Sequence, residues 1–374
     1  VVSKDSSNSL QNIAGINGGQ LGNRRLTING DMRIAQRGTS STGTGYQTVD
    51  RFQIGTSNVD EAPTQAQADV AAGTTPYTLG FRKSFKVTNG NQTSGAGALD
   101  VIDIKHLIEA QDVANSGWNY LSSSSYITLS FWIKSSVAQN FFGHVMTADG
   151  TRYNYPFETG SLSADTWTKI TKTIPGNSNL QIDNDNGAGL EIRFALFYGT
   201  DKTASVSENA WAAYNNTQRT PDNTSTWYTT NDATFEITGV QLEVGSVATD
   251  FEHRSFGQEL QLCKRYYQQY VNIAAVGNVP DNSSRSYSHA LMFPVEMRAA
   301  PTITISNTGS SSGQRVSDAE NNVYVSSLLS TGVQPTGATI SFYLTGDLTN
   351  YRGAYLTNTA STAYQTTYKI EAEL

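Results

Sequence analysis

The residues of this chain best suited to chemistry are aromatics set among amides, a pairing that serves recognition rather than reaction. Trp211, Tyr214, Trp227 and Tyr228, with Asn215 and Asn216, stand in the polar stretch between Gly199 and Ala233. A pyranose offers an apolar C–H face that stacks on Trp or Tyr, while its hydroxyls need polar partners nearby. This stretch supplies both. Trp132 is a second candidate. Within Tyr126–Lys134, Ile127, Leu129, Phe131 and Ile133 alternate with Tyr126, Thr128, Ser130, Trp132 and Lys134. Period-two geometry then sends Trp132 to the polar face of a strand. For each of these aromatics the competing expectation is packing, in the core or at a subunit interface, where Trp and Tyr are also favoured.

Signals for catalysis are sparse. The four histidines, His106, His144, His253 and His289, contain no pair at a metal-ligand spacing. Gly309–Gly313 matches G-x-S-x-G, but a nucleophile elbow needs a strand before it and a helix after it, and this is a Ser-rich loop between strands. A glycosidase needs two acids ~5–10 Å apart across a cleft, which sequence alone does not display. The short repeats of a β-helix are also missing. The expectation is a non-enzymatic protein without a cofactor, with a polysaccharide depolymerase as the remote alternative. Asp183-Asn184-Asp185-Asn186-Gly187 resembles the start of a calcium loop, yet it lacks the bidentate Glu at the right offset. A tight turn is the better reading there, with Asp183 and Asp185 as weak metal candidates.

Positioning such residues requires a scaffold, and composition points to its class. At 374 residues the chain is long enough for two cores. Hydrophobic residues at 37% and charged residues at 15% are both low. Ser, Thr, Asn and Gly fill the difference, which suits short strands joined by polar turns. A net charge of −7 argues against general nucleic-acid binding, which needs a basic field. Locally, Arg24, Arg25, Arg33, Arg37 and Arg51 are opposed only by Asp31 and Asp50; internal pairing or an acidic neighbouring subunit would each account for them. The single Cys263 excludes an internal disulfide framework and suits a reducing cytosol. No stretch approaches the ~20 apolar residues of a membrane span.

In chain order, residues 1–23 read as a polar arm. Leu10, Ile13 and Ile16 are spaced for a turn and a half of helix, and with Arg24 and Arg25 they are the candidate contacts through which the arm would dock on another subunit. Residues 24–254 read as a jelly-roll β-sandwich of about eight or nine strands. Asp149-Gly150 marks a hairpin, and Asp103–Asn115 is a helical candidate carrying Ile104, Leu107, Ile108 and Val113. Leu190, Ile192, Phe194, Leu196 and Tyr198 share one strand face. Residues 255–271 read as a connecting helix, with Ser255 and Gln258 at capping-box spacing. Its stripe of Phe256, Leu260, Cys263, Tyr267 and Tyr270 is a candidate oligomer or domain interface, with Cys263 a packed, reduced thiol and the helix setting the angle between domains. Residues 272–374 read as a smaller C-terminal β-sandwich.

Ile237–Ser255 (ITGVQLEVGSVATDFEHRS), followed by the Cys263–Tyr267 run, closely resembles a segment of bacteriophage tail-fibre and appendage proteins. Their usual opening is matched by Leu26–Met32, Gln36-Arg37-Gly38 and Val49–Phe52, in the expected order. The domain between also looks like family 4/9-type carbohydrate-binding modules, which are jelly-roll sandwiches. The resemblance covers roughly residues 24–270. It implies a virion structural protein, assembled in the host cytoplasm, and a homo-oligomer, a trimer being usual among such fibres. Host-surface glycan recognition is the implied role; decoration of head or tail through the N-terminal arm is the alternative. Neither nucleic acid nor membrane insertion is expected.

Overall fold

Alternating apolar and polar positions build two antiparallel sheets from the first two-thirds of the chain, and the strands that read most clearly in the sequence form their centres. The computed structural model describes residues 2–4, 10–12, 24–279, 286–306, 314–318, 320–349, 352–357 and 366–374. It divides into two units between Glu259 and Leu260. β1 (Val2–Lys4) and β2 (Leu10–Asn12) pair with each other. Leu10 therefore belongs to a strand rather than a helical turn; Ile13 and Ile16 lie outside the described residues.

The remaining strands of the first unit are β3 (Ser40–Ser41), β4 (Phe52–Ser57), β5 (Thr64–Asp69), β6 (Lys83–Thr88), β7 (Val101–Glu109), β8 (Tyr126–Ser135), β9 (Asn140–Thr147), β10 (Tyr153–Ser161), β11 (Thr168–Pro175), β12 (Ala188–Tyr198), β13 (Ala212–Ala213) and β14 (Thr234–Val244). One sheet has the order β13-β10-β9-β12-β7-β4 and the other β11-β8-β14-β6-β5-β3. Ile104, Val145, Phe157, Ile192 and Phe194 from the first share one buried cluster with Phe85, Leu129, Phe131, Ile237 and Leu242 from the second. This is the sandwich that the alternation predicts. The Asp149-Gly150 turn joins β9 to β10, with Gly150 at φ 53°.

Asp103–Asn115 corrects one expectation. Val101–Glu109 is a strand, and only Ala110–Ala114 is helical. β7 pairs with β12 on one side and β4 on the other. Ile104 and Ile108 point to the core while Leu107 leaves by the other face, half-buried, so a spacing that imitates a helix is split between two strand faces.

The segments that carry the family resemblance are knitted together. Leu26 N–H donates to the Leu242 carbonyl (2.8 Å), and Val240 N–H donates to that of Gly30 (2.9 Å). Gly30 has no substitute in this clasp: a Cβ there would lie 2.0 Å from the Val240 oxygen. Arg25 is buried against Glu259, whose other oxygen accepts Asn29 N–H at 2.5 Å. Arg24 donates to Thr249 Oγ1 at 2.8 Å, Arg33 pairs with Asp31 at 2.6 Å, and Arg37 lies 4.0 Å from Asp50. The arginine cluster is thus spent largely inside the unit. Arg25 is corrected from docking residue to internal partner, because its burial with Glu259 leaves no surface for a neighbour.

The helix runs from Phe256 to Lys264. Ser255 and Gln258 exchange the reciprocal bonds of a capping box, at 2.9 and 3.3 Å. The expected stripe does not survive. Phe256 is 58% exposed and Leu260 half-buried, whereas Glu259 and Cys263, four apart, form the buried face. Tyr267 and Tyr270 lie beyond the helix, in β15 (Tyr267–Val271). Glu259 faces inward because Arg25 waits there, which an apolar periodicity cannot register.

The second unit continues with β16 (Ala275–Asn278), β17 (Ser286–Met292), β18 (Thr302–Ile305), β19 (Arg315–Ser317), β20 (Asn322–Gln334), β21 (Gly337–Leu344), β22 (Gly353–Thr357) and β23 (Thr367–Glu371). It is all-β as expected. Its larger sheet closes on itself as β16-β17-β21-β20-β19-β22, while β15-β23-β18 form a separate sheet. Closure removes the sheet edges that would otherwise seek partners. Tyr287, Ile340, Phe342, Leu356 and Tyr368 are at its core. Among the described residues no helix is long and apolar enough to cross a membrane.

Candidate functional site

Trp132 lies on the outward face of β8, half-buried as the alternation predicts. The register sets Lys169 of β11 on one side of it and Thr238 of β14 on the other. Lys134, two residues along the same face, pairs with Glu236 at 2.8 Å, and Glu236 also accepts the Ser84 hydroxyl at 2.8 Å. Trp167 immediately precedes β11 and has the same parity as Lys169, so it is the diagonal neighbour of Trp132 on this face. It is also half-buried, and Lys134 Nζ stands 5.3 Å from its ring centroid. The exposed Lys169, Thr171 and Thr173 complete the outward side of β11.

A bulge sets the floor beneath Trp132. The pairing of β14 with β8 shifts between Thr238 and Gln241, and Gly239 sits there at φ +64°. A Cβ at Gly239 would stand 3.2 Å from the Trp132 ring and 2.8 Å from Phe81. Two indoles thus share one outward face with an ion pair, a free amine and hydroxyls around them. Such a surface can stack a ring and hydrogen-bond its substituents.

The other aromatic candidates separate. Trp227 and Tyr228 are fully buried. The indole N–H of Trp227 donates to the Thr234 carbonyl at 3.1 Å. Tyr228 stacks on Phe197 at 4.3 Å and donates its hydroxyl to Asp100 at 2.8 Å. Both belong to the core rather than a sugar platform. The polar run Thr224–Thr230 conceals a short helix, Thr226–Thr229, which turns both rings inward. Trp211 is half-buried, 5.3 Å from Tyr155, with its indole N–H given to the Pro175 carbonyl at 2.7 Å. Tyr214, Asn215 and Asn216 stay at the surface. Asn216 Oδ1 accepts from the Tyr214 hydroxyl at 3.1 Å and from Arg219 at 2.5 Å, while Asn215 closes a turn on Thr217.

The outer side of the other sheet carries a polar layer that the sequence reading missed. His144 stands between Asn154 Oδ1 (2.5 Å) and the Tyr198 hydroxyl (3.3 Å), and Tyr198 donates to Asp103 at 2.7 Å. Arg193 meets both oxygens of Glu191 at 2.9 Å and lies 3.4 Å from Asp103; Lys105 lies 3.7 Å from Asp103. Burial, followed by the nearby Arg193 cation, depresses the His144 pKa to about 3. Burial works against the Arg193 charge too, but Asp103, Tyr198 and Glu191 outweigh it and hold the group protonated. Desolvation, then the Asp103 charge, raises the Tyr198 hydroxyl well above its usual range.

The signal for this layer was present as the polar alternates of apolar strands, Glu191 and Arg193 among Leu190, Ile192 and Phe194. Tyr198 escaped because β12 shifts register between Ala195 and Phe197, turning it away from the face of Leu190. The layer anchors the following loop. Asn154 donates to the Arg219 carbonyl at 2.7 Å, and Tyr198 N–H to Asn223 at 3.0 Å. An adjoining cleft of about 190 Å³ lies among Gly97, Tyr198, Thr203, Asp222 and Asn223. That is below the ~300–1,000 Å³ usual for an enclosed ligand site.

Asp183 and Asp185 serve a turn. Asp183 N–H donates to Asp149, and Asp185 accepts Gly187 N–H at 2.8 Å. Among the described residues no group of three His, Cys, Asp or Glu side chains is placed to hold a metal.

No family model and no curated protein matches the chain. Solved structures do. A CBM4 structure shares 14% identity over 58% of this chain and 98% of its own length, with a TM-score of 0.30. The N-terminal cellulose-binding domain of Cellulomonas fimi β-1,4-glucanase C shares 9% over 58% of this chain and 99% of its own, at 0.27. The enzymatically active domain of bacteriophage CBA120 tailspike protein 4 shares 11% over 59% of this chain, at 0.31; only 21% of that protein is covered. At such values the residues themselves must carry any reading of function.

Proposed function

We propose that this chain is a non-enzymatic subunit of a phage virion, in its tail fibre or an appendage, and that its first unit binds glycans of the host surface. Its partners in this reading are copies of itself in a trimer, neighbouring virion proteins and the glycan. One observation carries the glycan reading: Trp132 and Trp167 are diagonal neighbours on an outward face, both half-buried, ringed by Lys134, Glu236, Lys169 and threonine hydroxyls. A strand face built only for solvent has no use for two indoles. The virion assignment is supported by the Leu26–Met32 and Ile237–Ser255 segments, which resemble phage appendage proteins at both ends of the domain.

The test uses the full chain on an array of bacterial surface polysaccharides. Bound glycans should lose at least ~10-fold in affinity in Trp132→Ala and in Trp167→Ala, about 1.4 kcal/mol each. Circular dichroism would confirm that both variants fold. An array without hits, or hits indifferent to both substitutions, would sink the proposal.

A further inference from the structure

At the edge of the other sheet, the short β13 pairs with β10, with Tyr153 opposite Ala213. The next pair along is Arg152 and Tyr214, joined by a hydrogen bond from Tyr214 N–H to the Arg152 carbonyl at 2.8 Å. Residues directly opposite in a ladder share a face, so Tyr214 and the exposed Arg152 emerge together. The chain then curls back. Arg219 N–H donates to the Lys202 carbonyl at 2.9 Å, and Asn154 holds the Arg219 carbonyl from below. Arg152, Lys202 and Arg219 thereby come from neighbouring segments of this edge, and Arg219 reaches Asn216 directly.

None of the three forms an ion pair within 4.0 Å among the described residues; Arg152 feels Asp149 only at longer range. The Arg219 guanidinium lies 5.0 Å from the Tyr198 ring centroid and gives one hydrogen bond, to Asn216, while its buried Nε has no partner. In a chain of net charge −7, three cations without a close ion pair stand on one edge, with Asp149, Asp201 and Asp222 as the acids nearest in the chain or across its hydrogen bonds. A guanidinium fork fits a carboxylate in two-point contact, and the exposed amides beside it suit sugar hydroxyls.

We infer that this edge binds the carboxylate of an acidic sugar, so that uronate-bearing polysaccharide is the glycan class recognised. The inference rests on the glycan-binding reading and deepens it. Arg219 grips the carboxylate, Arg152 and Lys202 supply the field, and Tyr214, Asn215 and Asn216 contact the ring and its hydroxyls.

Binding of the full chain is measured to polygalacturonate, alginate and hyaluronan, to the same polymers after carboxyl reduction, and to dextran sulfate. At least one uronate polymer should bind, and its carboxyl-reduced form should bind at least 10-fold more weakly. Arg219→Ala should lose a similar factor, and Arg219→Lys should recover only part, because the fork is gone. Equal binding of native and reduced polymers, or wild-type affinity in Arg219→Ala, overturns the inference; neutral glycans held through Trp132 would leave the broader reading intact. Dextran sulfate bound as tightly as uronate, with full recovery in Arg219→Lys, means ion exchange alone and also overturns it. Absence of any glycan binding, neutral or acidic, defeats both.

Discussion

His144 lies beneath the outer polar layer of the first unit, where burial and then Arg193 hold its pKa at about 3. The folded value is below the ordinary 6.5, so the unfolded chain takes up the proton first. The stabilisation is therefore complete above pH 6.5 and falls as the pH drops toward 3, by about 1.4 kcal/mol per pH unit. Between pH 6.5 and 4.5 the wild type should lose roughly 2–3 kcal/mol more than His144→Gln, which cannot take up that proton. Urea unfolding followed by tryptophan fluorescence reads this difference, and equal losses would show that the imidazole is not held neutral by burial. Single residues were legible in the sequence where alternation was clean. Trp132 was placed by its neighbours in β8, whereas Tyr198 was misplaced by a bulge and Trp227 and Tyr228 by a short helix within a polar run. Local pattern reports which face a side chain leaves by, but not what the next segment lays over it.

Among the elements, the clasp between Leu26–Met32, β14 and the helix start organises the first unit. Its centre is Arg25 with Glu259, both fully buried. Truncating one partner leaves the other charge stranded in the interior, so Glu259→Ala should cost about 3–5 kcal/mol, read as a fall in the urea midpoint at constant slope. A loss below ~1 kcal/mol would mean the pair is solvated in solution. On the same helix face Cys263 is a fully buried thiol outside any disulfide. A bulky thiol reagent should modify it slowly in native protein and at once in denaturant; fast native modification would contradict its packing. The capping box was visible in the Ser255–Gln258 spacing because it is a purely local device. The end of the helix was not, since Tyr267 and Tyr270 continue the helical stripe yet lie in β15. The inward face was hidden for a related reason, because Glu259 answers a residue 234 positions earlier.

At the scale of the whole molecule, a composition rich in Ser, Thr, Asn and Tyr and poor in charge was enough to expect sheets throughout, and all-β architecture is what both units have. Closure of the second unit's sheet into a barrel had no sequence signature, because it depends on pairing between β16 and β22, some 75 residues apart. Nor did the cationic edge, which depends on backbone bonds bringing Arg152, Lys202 and Arg219 together. Glycan recognition by the outward Trp132–Trp167 face is the central claim, and saturation-transfer NMR addresses it most directly. With an oligosaccharide from the array mixed with the full chain, saturation should reach the apolar C–H face of a pyranose ring. It should vanish in the Trp132→Ala, Trp167→Ala double variant while that variant keeps its fold. Undiminished transfer from the double variant would contradict the account.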